Sequence, residues 1–175
     1  MNIEELHRTI LYPVVRVRTS AAGGSGVLIY SQPDPKTPGE YINVALTCQH
    51  VVDGAIKTKD EWDPVIQQNR KRDFFDEITV EVFQYQGSRV VSANSTPATI
   101  IAYDRYHDIA AIRLNNPLPM EHVATIIPKE KIKDLRIGQG CWVCGCSLLH
   151  DPFPSPGTLT YMREIMDDQK TYLMA

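Results

Sequence analysis

From Val14 onward the sequence keeps returning to short runs in which apolar residues alternate with polar ones, each closed by glycine, proline or asparagine. Side chains on a strand alternate between two faces, so a period of two marks a half-buried strand and is incompatible with a helix, whose apolar stripe recurs every three to four residues. Val15, Val17 and Thr19 alternate with Val14, Arg16 and Arg18. A glycine-rich turn, Gly23 to Gly26, feeds the run Val27 to Tyr30, and Ser31 to Glu40 holds three prolines and a glycine. Tyr41 to Thr47, Ile78 to Tyr85, Arg89 to Ser92, Thr96 to Tyr103 and Ile109 to Leu114 continue the rhythm. Many short strands with turn signals between them predict an all-β barrel.

Two segments break the pattern. Ile3, Leu6 and Ile10 fall at spacings of three and four, which predicts one short helix over residues 3 to 10, ended by Tyr12-Pro13. Lys57 to Asp76 is charged and holds Pro64; it is expected to be a surface excursion with one helical turn around Val65 to Arg70. Asn115-Asn116-Pro117-Leu118-Pro119 is the strongest linker signal, with tandem turn residues and two prolines. It suggests three parts: an N-terminal helix over 1–13, a first β subdomain over 14–116, and a linker with a second β subdomain over 117–175. In the last part, a strand is expected over Cys141 to Cys146, a proline-rich loop over Asp151 to Gly157, and further strands through Thr158 to Ile165 and Thr171 to Met174.

Composition removes several function classes. The formal net charge of −3 leaves no basic excess for phosphates, and Lys and Arg are scattered, so nucleic acid is not an expected partner. No stretch approaches the roughly 18 apolar residues of a membrane span. Residues 1–10 carry Glu4, Glu5 and Arg8 in place of the apolar core of a secretory signal. Three of the four cysteines, Cys141, Cys144 and Cys146, crowd into six positions where they cannot easily pair with each other, and free thiols in a reducing, cytoplasmic compartment fit best. Together with His150 these three could ligate zinc. Strand alternation, however, sends Cys141 to the opposite face from Cys144 and Cys146, and small apolar core cysteines are the commoner explanation.

The residues that could carry chemistry are His50 and Asp108. His50 follows an apolar strand directly, in Ala45-Leu46-Thr47-Cys48-Gln49-His50-Val51-Val52, where a rigid scaffold can hold an imidazole for general-base work. Asp108 opens the apolar strand Ile109 to Leu114, where a carboxylate at the strand mouth can orient an imidazole. Taken singly, each has an ordinary alternative: a structural histidine, and a turn aspartate with a capping role. His107 and Asp104 are nearby substitutes, but His107 should point away from Asp108 on an extended chain, and Asp104 is the weaker orienting candidate. His7, His122 and His150 have no supporting context and are expected at the surface.

Taken together, Gly24-Ser25-Gly26-Val27-Leu28-Ile29, Leu46-Thr47-Cys48-Gln49-His50-Val51-Val52 and Asp108-Ile109-Ala110-Ala111-Ile112-Arg113-Leu114 resemble, in that order, strands of the trypsin-like serine peptidases, especially the HtrA-like branch. The segment Leu135 to Cys146 resembles the strand that opens that family's second barrel. The resemblance implies a chymotrypsin-like double β-barrel, the first barrel complete and the second incomplete. It also implies a serine endopeptidase acting on polypeptides, with His50 as general base, Asp108 as its orienting partner, and no cofactor or metal. The glycine-rich Gly-x-Ser-Gly-Gly loop that should follow is not among the 175 residues; Thr171 to Ala175 resembles the strand just upstream of it. A fragment or truncated gene product, inactive alone, is therefore expected, with self-association through exposed strand edges. Ser25 precedes His50 and belongs to the first hairpin, while Ser147 and Ser155 lack flanking glycines able to present two amides to an oxyanion. None is expected to be the nucleophile. The alternative is a protease-like barrel without catalysis that binds peptides by adding a strand to an edge.

Overall fold

The computed structural model describes residues 2–165 and 170–174 of the chain. Six antiparallel strands close into a barrel in the order β1 (Val14–Arg18), β2 (Gly23–Pro33), β3 (Tyr41–Thr47), β8 (Ile109–Leu114), β7 (Arg89–Asp104) and β6 (Ile78–Gln86). Closure leaves the barrel without a free edge, and each strand sends alternate residues inward: Val15 and Val17, Leu28, Ala45, Ile78 and Val80, Ala98 and Ile100, and Ala110, Ile112 and Leu114 form one buried cluster. Full burial of side chains such as Ile112 or Leu114 stabilises the fold by roughly 1.5–3 kcal/mol each relative to exposure. The all-β barrel expected from the alternation is therefore the architecture found.

Several local expectations change. Gly23 to Gly26 is not a turn but the start of β2, and the turn lies at Thr19–Ala22, where the Thr19 hydroxyl accepts from the amides of Ala21 and Ala22. Glycine serves there for close packing: a Cβ at Gly26 would stand 3.0 Å from methyls of both Val15 and Val17. The charged excursion is a hairpin with no helical turn. Its strands β4 (Ile56–Asp63) and β5 (Gln68–Phe75) pair from Ile56↔Phe75 to Asp63↔Gln68. Both its faces are largely exposed, so no alternation exists to reveal it; cross-strand pairs such as Arg72 with Glu61 and Thr58 with Asp73 take the place of burial. Arg89–Ser92 and Thr96–Tyr103 are one 16-residue strand, β7. A bulge between Ile100 and Ala102 re-phases it so that Tyr103 packs against the core and reaches Asp73 of the hairpin through its hydroxyl. Pro97 fits within β7 because pairing with β8 ends at Ala98↔Leu114.

The N-terminal helix runs over α1 (Ile3–Leu6) and continues as a π turn over His7–Leu11, closed by the Tyr12 amide donating to the His7 carbonyl. The wider turn buries Leu6 and Leu11, five residues apart, and leaves Ile3 exposed, in place of the predicted stripe of Ile3, Leu6 and Ile10.

After the barrel, residues 115–124 lie along its wall. The buried Asn43 side chain donates to the carbonyls of Asn116 and Leu118, the Ser31 hydroxyl accepts from the Met120 amide, and the Ala124 amide donates to Leu28. A short helix, α3 (Lys129–Ile132), precedes two hairpins: β9 (Gly140–Gly145) with β10 (Phe153–Thr158), and β11 (Tyr161–Ile165) with β12 (Lys170–Met174). The expected proline-rich loop is thus largely a strand. Among the described residues β10 pairs only with β9, and Pro154 and Pro156, two apart, share one side of it, which puts the missing amides on the unpaired edge. The β9 hairpin seats on the outer face of β1, where Val14, Phe83 and Cys146 form a second buried cluster. Both faces of β1 are therefore covered, with Arg16 pairing with Glu81 and donating to the Leu149 carbonyl. Among the described residues no helix is long and apolar enough to cross a membrane.

Candidate active site

Strand register brings His50 and Asp108 together. β3 and β8 are neighbours whose pairing ends at Thr47↔Ala110, so the chain leaving β3 and the turn entering β8 meet at one mouth of the barrel. Cys48 is extended (φ −72°, ψ 143°), and Gln49–Val52 then forms the single turn α2. Val51 and Val52 plug the barrel end, Gln49 is buried with its amide on Asp53, and His50 is left facing outward. Gly24 of β2 makes room for α2: a Cβ there would stand 2.6 Å from a Val51 methyl.

Asp108 follows a turn in which the Asp104 carboxylate accepts from the amides of Tyr106 and His107, and Arg105 bridges to Asp53 at 3.4 Å. Asp108 itself adopts the left-handed conformation, φ 53°. Its carboxylate then grips His50 twice: Oδ1 accepts from the His50 amide at 2.9 Å, and Oδ2 lies 2.7 Å from the ring Nδ1. These two hydrogen bonds, the backbone one first, hold the Asp108 carboxyl below the usual carboxylate range, so it is ionised at neutral pH. An ionised carboxylate only accepts, which fixes the ring proton on Nδ1 and leaves Nε2 with its lone pair. The His50 side chain is 69% exposed and that of Asp108 47%, so the pair is open to a substrate.

The other sequence candidates lie elsewhere. Ser25 does not present its hydroxyl to His50: it accepts from the Cys146 amide at 2.8 Å and ties the β9 hairpin to the barrel. Ser147 begins a single turn of 3₁₀ helix, and Ser155 lies in β10 opposite Val143. His107 pairs through Nδ1 with Asp104, forming a second His–Asp pair outside the first. His7 and His122, expected at the surface without context, are half-buried and have partners: His7 Nε2 meets the Ser88 hydroxyl, and the His122 ring lies 4.8 Å from that of Tyr12. His150 is exposed. Burial pushes the Cys144 thiol up to about 11 and the Cys146 thiol to about 12, and Cys146 Sγ donates to the Val15 carbonyl. All four cysteines are free.

Sequence reasoning missed Cys48. Its sulfur lies within 4.8 Å of an Asp108 carboxylate oxygen, and partial burial followed by the carboxylate's charge raises its pKa above the ordinary value. It is therefore a thiol at neutral pH and a poor nucleophile. The signal available was its position two residues before His50.

No family model and no curated protein matches the sequence. Solved structures do. Deg5 matches with a TM-score of 0.62 at 16% identity, over 93% of this chain and 65% of Deg5. The protease domain of MamO from Magnetospirillum magneticum, in its apo form, matches with 0.56 at 16% identity, over 96% of this chain and 71% of that one. A serine-to-alanine form of the HtrA-type protease AlgW with a tripeptide matches with 0.61 at 14% identity, over 99% of this chain and 45% of that one. At such identities the likeness establishes the fold alone: a chymotrypsin-like β-barrel, the fold of these three proteases. The chain spans less than two thirds of the length of Deg5 and less than half that of AlgW.

Proposed function

We propose that this chain supplies the general base and its orienting carboxylate to a serine endopeptidase that cleaves polypeptides by acyl transfer. The observation that supports this most is the contact of 2.7 Å between His50 Nδ1 and Asp108 Oδ2 at the mouth of a closed barrel. With its proton on Nδ1, His50 has an open lone pair on Nε2 to take the hydroxyl proton of a serine as that oxygen attacks the scissile carbonyl. Asp108 stabilises the imidazolium that forms, and His50 then passes the proton to the departing amine. The reading requires a serine on a glycine-rich loop whose amides hold the oxyanion, and no such loop is among the 175 residues. The 175 residues by themselves are expected to turn over little or no peptide.

A non-catalytic barrel that binds peptides is the second reading, favoured by the lack of Gly-x-Ser-Gly-Gly in the 175 residues. The two separate in an assay of casein cleavage by the protein carrying its natural downstream sequence. The protease reading expects cleavage that His50→Ala abolishes, whereas the binding reading expects no cleavage from either form.

A further inference from the structure

Acyl transfer gives Cys48 no task, yet Cys48 Sγ, a ring nitrogen of His50 and a carboxylate oxygen of Asp108 lie within 4.8 Å of one another, all on exposed residues. We infer that Cys48, His50 and Asp108 form a zinc site whose occupation takes the His50–Asp108 pair apart. A thiolate, an imidazole and a carboxylate are the donors zinc combines, whereas calcium and magnesium take oxygen ligands. Three protein ligands leave the fourth tetrahedral position to water, and the exposure of His50 and Asp108 gives the ion a path in.

The geometry requires only small movements. With bonds of roughly 2.0–2.3 Å, tetrahedral ligand atoms stand about 3.3–3.6 Å apart. The sulfur therefore closes in by at most about 1.5 Å, and Nδ1 and Oδ2 part from 2.7 Å by about 0.6–0.9 Å, as the metal replaces the proton between them. Side-chain rotation supplies this without moving the backbone, because the second carboxylate oxygen stays on the His50 amide and keeps Asp108 oriented. Cys144 and Cys146 do not compete, being turned into the cluster formed with Val14 and Phe83.

The protons define the consequence. The Cys48 thiol gives its proton to solvent as the Sγ–zinc bond forms. The ring keeps a single proton, which leaves Nδ1 for Nε2 when Nδ1 takes the metal. Nε2 then has no lone pair to offer, so zinc occupancy and general-base function exclude each other. The binding itself needs no turnover and does not depend on the protease reading.

Cobalt titration of the 175-residue protein tests the site, because a cobalt–thiolate bond gives a near-ultraviolet charge-transfer band. The expected result is a band saturating at one cobalt per chain and erased by added zinc, together with movement of the His50 ring proton to Nε2 in NMR spectra of the zinc form. Cys48→Ser should remove the band, His50→Ala should weaken binding at least about tenfold, and Cys141→Ser should leave both unchanged. Cys48 and His50 are exposed, so far-ultraviolet circular dichroism should match the parent protein for both variants. Absence of a band from the parent protein, or a band that survives Cys48→Ser, overturns the inference.

Discussion

Asp108 holds a backbone conformation, φ 53°, that aspartate tolerates better than most residues and that β-branched residues resist. From it the carboxylate reaches both the amide and the ring of His50. Asp108→Asn keeps the left-handed residue but removes the charge, and in a triad such a change leaves geometry intact while lowering kcat by about 10⁴. The same loss is expected in the protein carrying its nucleophile, with KM changed far less. Because the His50 hydrogen bonds lower the carboxyl's folded pKa, their contribution is fully present above the ordinary carboxylate value and disappears as pH falls through the lowered folded value. Carboxyl-carbon NMR should show Asp108 titrating below an ordinary aspartate, with the His50 ring signals changing in step. An Asp108 midpoint at or above the ordinary value contradicts that account.

At the scale of elements, α2 is one turn held in place by what lies beneath it. Gly24→Ala puts a Cβ 2.6 Å from Val51, which must shift, and overpacking of this kind costs roughly 1–3 kcal/mol. Denaturant unfolding should report that loss, and His50 ring shifts should move with α2; unchanged stability would mean the strand and turn are less tightly fitted than described. Ile112→Ala, in the barrel centre, should cost about 2–5 kcal/mol in the same experiment. Elements built on a buried face were legible in the sequence: β3 and β8 show their alternation openly, and their order places His50 and Asp108 at one end. The β4–β5 hairpin, the proline-bearing β10 and the π turn were not legible. The hairpin buries almost nothing, β10 hides its prolines on an unpaired edge, and the π turn changes which residues share a face. Cys48 stayed hidden for another reason: its contact with Asp108 depends on a rotamer at a strand end, and no periodicity encodes that.

The whole molecule is a closed barrel with a hairpin seated on its outer wall. Val14, Phe83 and Cys146, the Ser25–Cys146 hydrogen bond and Arg16 form that seat. Among the described residues the two hairpins beyond residue 139 are separate two-stranded sheets, unlike the barrel, and present unpaired edges. The 175-residue protein should therefore associate with itself as its concentration rises, and sizing that finds a monodisperse monomer throughout contradicts this. The central claim, that His50 and Asp108 serve a nucleophile on this scaffold, is tested most directly by a serine-reactive fluorophosphonate. The probe is applied to the protein carrying its natural downstream sequence, and the modified residue is located by peptide mass spectrometry. The account predicts one labelled serine in a glycine-rich loop downstream of Asp108, with labelling lost in His50→Ala. No label, a label on Ser25, or a label indifferent to His50→Ala would contradict it.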